Sequence, residues 1–408
     1  MLSFLSFFFI LIADAINQLS NASSDGTTNL LAFFRLIAVF CFFQMATKYR
    51  LKNAIPDPSL LIFKLLMAWS LFSYVRGIFT ADGYFDWKYL LLSETFQMLI
   101  PLTIITGIHF ETTKKTFLFI FNILFIVGFI FIPYSTSTDT EFFSRLVAIV
   151  YVIMVLIPYL KLKWRIVTII VATISFLIDI SYRSNLLHIS ISTSLVILFY
   201  SRYIINIKAI YNPLLVILFC MPLVFVALGA TGQFNIFQAD ISSLGLDIDT
   251  SNDNNIKSNL NDDSRTFLYE EVTNSMNYRD SSYIIGEGPT SGYISPFFWD
   301  SLSEEKIGIR RNSEVGFLNT LLHSGSIGVG LYGLMLFNAA FLAINRSNNY
   351  LCKLFGFFLI SRWLFFFMED IVLFNMNYYG IWLVVGLCLS KKFRLLTDTQ
   401  VRQFLILK

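Results

Sequence analysis

Charge is what this sequence lacks most. Only 14% of its residues are charged, whereas 56% are hydrophobic. Soluble globular domains carry about 25% charged residues, so this composition excludes a chain that is solvated mainly by water. A helix needs roughly 20 apolar residues to cross a bilayer, and such runs recur along the chain. The composition therefore predicts an all-α polytopic membrane protein, and we expect no soluble catalytic domain at either end.

Metal-ligating side chains are also scarce. The sequence has four cysteines and three isolated histidines, which make no convincing metal site. The cysteines lie in or beside apolar segments, without the spacing of metal ligands or a pairing that implies a disulfide bridge. They are Cys41, Cys220, Cys352 and Cys388. We therefore expect neither a metal nor a cofactor, and no nucleic-acid partner.

Long apolar runs, by contrast, are plentiful. They predict twelve membrane spans, at about residues 2–17, 29–46, 59–78, 89–109, 116–134, 143–160, 164–180, 185–200, 212–230, 315–344, 352–368 and 372–390. One polar block separates the ninth span from the tenth. The sequence thus divides into a membrane part (1–230), a loop domain (231–313) and a second membrane part with a short tail (314–408).

The charges of the short loops alternate along the chain. Lysine and arginine gather in every second loop, including residues 48–52, 114–115, 161–165 and 391–394, whereas the loops near residues 17–28 and 80–88 are poor in them. Basic residues accumulate on the cytoplasmic side of a membrane. We therefore expect both termini to be cytoplasmic and the polar block to face outward.

The polar block has a composition of its own. It holds 13 of the 27 acidic residues and 6 of the 30 basic ones, a formal charge of −7. Its first part is rich in Asp, Asn and Ser, which is typical of disorder. Phe267, Leu268, Val272 and Met276 then recur at helical spacing and predict an amphipathic helix. A β-like run at residues 283–285 and a glycine turn follow, so we expect a small, mainly helical cap.

Three charged residues at the predicted outer side are the main candidates for function. An ionisable group in or beside a span is costly unless it is paired or hydrated, and so is a functional candidate. Each also has a structural interpretation. Arg183 can snorkel to lipid headgroups, Glu314 can be a favourable partner of a helix dipole, and Arg265 can pair with Glu270 or Asp263 at the surface.

Weaker candidates lie in the spans or near their ends. They are Arg35, Lys64, Arg76, Arg145, Arg362, Glu369 and Asp370. Glu369 and Asp370 share an outer helix end, where they can line one cavity. His323 lies nine residues after Glu314, about half a turn around an ideal helix, and we interpret it as a packed histidine.

Three short segments together resemble the bacterial O-antigen polymerase and O-antigen ligase superfamily. Residues 182–187 resemble the Ser-Arg segment that opens a span in this family. Ser264-Arg265, Tyr269 and the turn 286–288 resemble its loop arginine, helix and glycine turn. Glu314, with Gly325 and Gly328 downstream, occupies the register of the ligase motif. Glu314 replaces the ligase histidine, which favours a polymerase.

The resemblance implies substrates that are oligosaccharides linked through pyrophosphate to undecaprenol. It further implies a bacterial inner membrane, a reaction at its outer (periplasmic) face, and a flippase and a chain-length regulator as partners. Planar guanidinium groups bind phosphate oxygens bidentately. Four arginines, Arg183, Arg265, Arg310 and Arg311, are therefore the candidates for binding pyrophosphate.

We therefore expect a metal-independent glycosyltransferase that joins repeat units of an O-antigen or capsule with inversion. Glu314 is the expected general base for the acceptor hydroxyl, and Arg265 is expected to stabilise the departing pyrophosphate. Two alternatives stay open. One is a ligase that transfers the glycan to lipid A-core, and the other is a transporter or flippase of lipid-linked sugars.

Overall fold

A computed structural model describes residues 2–20, 27–48, 54–121, 147–178, 183–200, 208–230, 266–279, 282–295 and 309–405. Nearly all of them are helical. The helices are α1 (Leu2–Ser20), α2 (Thr27–Lys48), α3 (Asp57–Thr80), α4 (Tyr84–Ile108, with a π turn and a 3₁₀ turn), α5 (Phe110–Phe119), α6 (Val150–Val155), α7 (Leu162–Ile178), α8 (Arg183–Tyr200), α9 (Lys208–Ala230), α10 (Thr266–Tyr278), α11 (Gly316–Asn345), α12 (Tyr350–Phe366), α13 (Met376–Leu389), α14 (Lys391–Leu395) and α15 (Asp398–Leu405). Two short antiparallel strands, β1 (Tyr293–Ile294) and β2 (Ile309–Arg310), place Tyr293 opposite Arg310.

The helices support the membrane prediction at a coarse level. Four of them are long and apolar enough to cross a bilayer, namely α2, α3, α4 and α11. Shorter apolar helices occur within α1, α8, α9 and α13. The predicted fifth and sixth spans lie partly outside the described residues. The protein is therefore an all-α membrane protein, whereas the number of spans stays a prediction. All four cysteines are free.

The connecting segments gather at the two ends of the helical bundle. At one end, Lys391 N donates to Ala54 O (3.2 Å) and Ser390 Oγ donates to Ile108 O (3.1 Å). At the other end, Thr290 Oγ1 of the polar block donates to Gly77 O (3.2 Å), near the end of α3. The first end carries loops of the basic set and the second carries the polar block. Which end faces the cytoplasm remains a prediction.

The centre of the bundle is the buried helix α13. Helix α4 crosses it so closely that a Cβ atom on Gly107 would lie 2.2 Å from Leu383 O. Small residues allow helix backbones to approach in this way within a membrane, where packing rather than hydrophobicity drives association. Helix α11 packs beside them against α3 and α12. These helices form the scaffold for the cavities described below.

For the polar block, the structure confirms one predicted element and contradicts another. The predicted amphipathic helix is α10, with Leu268, Val272 and Met276 fully buried. The predicted β-like run at residues 283–285 is wrong, because these residues form a turn. Their backbone groups bond to α11 instead of to a strand. The strands of the block lie later, at β1 and β2.

Candidate functional site

A cavity of about 110 Å³ lies at the polar-block end of the bundle, between α3, α4, α11 and α13. Two carboxyl groups line it, those of Glu94 and Asp370, and we call it the carboxylate cavity. Its other polar lining includes Asn312, Asn319 and His323. Aromatic rings complete the wall, those of Trp69, Tyr74, Tyr332, Tyr378 and Trp382. The lining combines amides, carboxyls and flat apolar faces, which suits a polar ligand that also has an apolar surface.

Asp370 lies in the loop between α12 and α13 and is held by neutral groups. Asn319 Nδ2 donates to its Oδ2 (2.9 Å), and the backbone N–H of Val372 donates to its Oδ1 (3.0 Å). Burial, with smaller effects from the charges of Glu94 and Glu369, raises the pKa of Asp370 to about 7. A carboxyl group with a pKa near neutrality is suited to accept and release a proton.

Glu94 lies in the π turn of α4 on the opposite wall. Tyr89 OH donates to Glu94 Oε1 (2.6 Å) and also lies 2.8 Å from Asn312 Oδ1. Within the described part of the chain, no cation lies within 4 Å of either Glu94 or Asp370. A buried carboxylate without a cationic partner is costly, so its retention at a cavity wall favours a functional role.

Four further buried polar atoms of this wall have no hydrogen-bond partner among the described residues. They are His323 Nε2, Trp382 Nε1 and the two hydroxyl oxygens Ser73 Oγ and Tyr332 OH. Nearly all buried polar groups in proteins are hydrogen-bonded, so each exception calls for an explanation. A hydroxyl-rich ligand in the carboxylate cavity would supply hydrogen-bond partners for the Ser73 and Tyr332 hydroxyls.

Helix α11 is broken beside the carboxylate cavity. Gly325 has φ 67° and ψ −174°, a backbone conformation open essentially to glycine alone. The break frees carbonyl and N–H groups that a continuous helix would pair internally. Residues 282–290 of the polar block, here called the strap, bond to them. The bonds are Glu287 N to Leu322 O (2.7 Å), Gly288 N to His323 O (3.1 Å), Ser326 N to Tyr283 O (2.8 Å) and Ile327 N to Ile284 O (3.3 Å).

Two side chains of α3 hold this arrangement from the other side. Arg76 Nη1 donates to Ile285 O (2.6 Å), and its Nη2 donates to Gly286 O (2.5 Å). Trp69 Nε1 donates to Ser324 O (2.8 Å), the remaining carbonyl at the break. Irregular backbone at membrane depth is tolerated only where its polar groups are satisfied in this way. Arg76, a weaker candidate from the sequence, is therefore a structural clamp.

Arg310 and Glu314, predicted as pyrophosphate ligand and base, pair with each other across 3.2 Å. The Glu314 side chain is 49% exposed and does not line the carboxylate cavity. Arg311 instead pairs with Asp86, at 2.7 Å between Nη2 and Oδ1. Arg265 lies outside the described residues. Arg183 begins α8, but its side chain is outside what is described, so a convergence of the four arginines stays a prediction.

A second buried cluster of charged groups lies between α8 and α12. His188 Nε2 lies 2.5 Å from Glu369 Oε1, and its Nδ1 contacts Arg362 Nη1. Arg362 is fully buried, and its guanidinium lies over the rings of Phe358 (4.5 Å) and Phe365 (5.2 Å). The expectation that Glu369 shares a cavity with Asp370 is not met, because Glu369 turns to His188 and is absent from the lining.

Glu94 and His188 were not among the residues predicted from the sequence to be functional. Glu94 interrupts the apolar run 89–109, and the rule that marks an ionisable residue within a span as functional would have selected it. His188 lies in the apolar run 185–200, so the same rule would have selected it, whereas only the fold brings it beside Glu369. Across the described ranges, no group of three or more potential ligands could hold a metal ion.

No protein-family model matches the chain, and neither the curated proteins nor the solved structures provide a significant match. Chemically, the carboxylate cavity offers a proton acceptor, amide donors and aromatic faces at the lip of a membrane bundle. Basic residues of the segment 309–315 lie at the same end.

Proposed function

We propose that the protein is a metal-independent polysaccharide polymerase of the bacterial inner membrane. Its substrates would be undecaprenyl-pyrophosphate-linked oligosaccharides, joined at the outer face into an O-antigen or a capsule. The observation that carries the proposal is the carboxylate cavity, where, among the described residues, Glu94 and Asp370 have no ion-pair partner and two buried hydroxyls have no hydrogen-bond partner. The resemblance of the three sequence segments supports the choice of substrate.

In the proposed reaction, a sugar hydroxyl of the acceptor enters the carboxylate cavity. Asp370 accepts its proton, and the oxygen attacks the anomeric carbon of the donor chain. The bond from that carbon to the pyrophosphate oxygen breaks, and its electron pair leaves with the pyrophosphate. Attack opposite the leaving group inverts the anomeric centre. Asn319, which donates to Asp370, positions the carboxyl group for this role.

The departing pyrophosphate needs fixed positive charge. Arg310 and Arg311, at the same end of the bundle, are the candidates with described side chains, and Arg183 and Arg265 are candidates from the sequence. A preorganised group of this kind lowers a barrier by about 2.7–4 kcal/mol. Glu314 remains an alternative base, although its exposure and its pairing with Arg310 make Asp370 the stronger candidate.

The test compares surface glycan from cells that produce Asp370→Asn, Glu94→Gln or the control Asp57→Asn. Asp57 is exposed in the first turn of α3 and does not line the carboxylate cavity. We expect single repeat units from Asp370→Asn, shortened chains from Glu94→Gln and normal chains from the control, at equal protein levels. Normal chain lengths from both cavity variants would refute the proposal. A product joined to lipid A-core instead of a lipid-linked polymer would identify a ligase.

One observation favours a second candidate, a transporter of lipid-linked sugars. Transporters commonly bind their substrates at discontinuous helices, and α11 is broken at Gly325 beside the carboxylate cavity. A transporter would move a lipid-linked repeat across vesicles without changing its length. A polymerase would lengthen the glycan in detergent solution, where no second compartment exists.

A further inference from the structure

A second cavity of about 240 Å³ lies at the same end of the bundle, between α2, α4 and the segment after β2. Three cationic side chains line it: Arg35 of α2, Lys88 of α4 and Arg311. We call it the cationic cavity. Its remaining lining is mainly apolar or aromatic, including Leu31, Phe85 and Leu92. No carboxyl group belongs to this lining.

The positive charge of the cationic cavity is only partly balanced. Asp86, which is 1% exposed, pairs with Arg311 at 2.7 Å. For Arg35 and Lys88, no carboxylate of the described chain lies within 4 Å. Arg35 also interacts electrostatically with the carboxylate of Asp14, whose Oδ2 accepts the backbone N–H of Met376 (3.1 Å). An excess of cations in a cavity indicates an anionic ligand.

Neighbouring residues hold the Arg35 side chain in place. Its Nη1 donates to Leu92 O (2.8 Å), and its guanidinium lies 5.8 Å and 5.7 Å from the ring centres of Phe96 and Phe374. Its Nε is buried and has no hydrogen-bond partner among the described residues. The aromatic contacts hold the guanidinium plane while leaving a donor unused. Such preorganisation favours binding of a phosphate oxygen.

The position of the cationic cavity indicates which class of anionic ligand it binds. Arg35 lies eight residues into α2, about 12 Å along the helix, and Lys88 lies in the first turns of α4. The cations therefore lie among apolar side chains at one end of the bundle, with Leu31 and Phe85 nearer the helix starts and Leu92 further along α4. A lipid can place its headgroup on the cations and its tail on this apolar lining. Basic pockets between membrane helices bind anionic headgroups in this manner.

We propose that the cationic cavity binds the phosphate or diphosphate headgroup of a membrane lipid through Arg35, Lys88 and Arg311. Arg311 is shared with the proposed polymerase, in which it is a candidate for stabilising the departing pyrophosphate, whereas Arg35 and Lys88 have no part in that reaction. Lipid binding can therefore be tested without the polymerase activity. Tyr89 forms part of the wall of the cationic cavity, and its hydroxyl donates to Glu94 of the carboxylate cavity (2.6 Å). The side chain of Tyr89 therefore separates a bound headgroup from Glu94.

The test measures lipid binding to the purified full chain in detergent micelles. The probes are dioleoyl phosphatidic acid, dioleoyl phosphatidylcholine and inorganic pyrophosphate, each titrated while the thermal unfolding midpoint is recorded. We expect saturable stabilisation by phosphatidic acid, at least tenfold weaker stabilisation by phosphatidylcholine, and weak binding of pyrophosphate, which lacks the tail. Equal binding of pyrophosphate and phosphatidic acid would show that the ligand is a free phosphate compound and would overturn the lipid assignment.

Amino-acid substitutions test whether the lipid binds in the cationic cavity. Lys88→Gln should weaken phosphatidic acid binding at least tenfold, and Arg35→Gln more strongly. Lys391→Gln removes an exposed cation from the opposite end and should bind as the unaltered protein does. Because Arg35 is packed between two rings, its variant can lose stability; Lys88→Gln, in a half-buried position, keeps the test decisive. Unchanged affinity in Lys88→Gln, or equal loss in Lys391→Gln, would overturn the proposal.

Discussion

The break in α11 leads to a sharp prediction about one glycine. Replacing Gly325 with alanine adds a Cβ atom that would lie 2.2 Å from Ile284 O, on the strap. The backbone at Gly325, with φ 67°, is unfavourable for alanine by about 1–3 kcal/mol. Relief of the clash also separates Ile284 from α11, which removes the bonds from Ser326 N and Ile327 N, each worth about 0.5–1.5 kcal/mol.

We therefore expect Gly325→Ala to destabilise the docked strap by about 2–6 kcal/mol. The matched control is Gly330→Ala, in the same helix, where an added Cβ atom meets nothing within 4 Å. Alanine is favoured over glycine inside a helix by roughly 0.5–1 kcal/mol, so the control should be neutral or stabilising.

Hydrogen exchange in detergent is the direct assay for this prediction. The amides of Glu287, Gly288 and Ser326 form the bonds between strap and α11, so they should exchange much faster in Gly325→Ala. The same amides should stay protected in Gly330→Ala. Equal protection in the two variants would refute the account of the break, because it would mean that the strap does not need glycine at this position.

Three further predictions concern charged groups. Arg76→Lys should weaken the docking of the strap on α11 by about 1–2 kcal/mol, because one ammonium cannot donate to both Ile285 O and Gly286 O as the guanidinium does. Hydrogen exchange of the Glu287, Gly288 and Ser326 amides measures this change. Glu369→Gln should lower the free energy of unfolding by about 3–5 kcal/mol, because it leaves the buried Arg362 cation without a balancing charge. Glu314→Gln, at an exposed ion pair, should lower it by under about 1 kcal/mol. Thermal unfolding that ranks the two variants equally would contradict this prediction. The rate of glycan transfer should rise with pH through about 7, because Asp370 accepts a proton only when ionised and its pKa is about 7; a flat profile between about pH 6 and about pH 8 would exclude Asp370 as the base. The contribution of Asp370 to folding stability changes with pH in the opposite direction, since its raised pKa favours the protonated folded state. This stabilising contribution is present below the unfolded pKa of about 3.9 and is lost as pH rises through about 7.

Much of the helical scaffold follows from the sequence. Apolar runs predict α2, α3, α4 and α11, because a helix satisfies the backbone groups inside lipid within its own segment. The period of Leu268, Val272 and Met276 predicts α10 in the same direct way. Local patterns suffice here, since each element is set by its own side chains.

The site was less predictable because it depends on distant partners. Arg311 pairs with Asp86 across 225 positions of sequence, and no local pattern contains that information. Residues 283–285 have the β-branched and aromatic side chains of a strand, yet the freed groups of α11 take their backbone bonds. The break itself occurs at a single glycine in an apolar run, which is also compatible with an unbroken helix.

The account's central claim is that Asp370 in the carboxylate cavity carries proton transfer during glycan joining. The most direct measurement follows the glycan length of a purified, lipid-linked repeat unit that is incubated with purified protein in detergent. The account predicts a ladder of lengthened products from the unaltered chain and from Asp57→Asn, and no product longer than the starting repeat from folded Asp370→Asn. A full ladder from Asp370→Asn would contradict it.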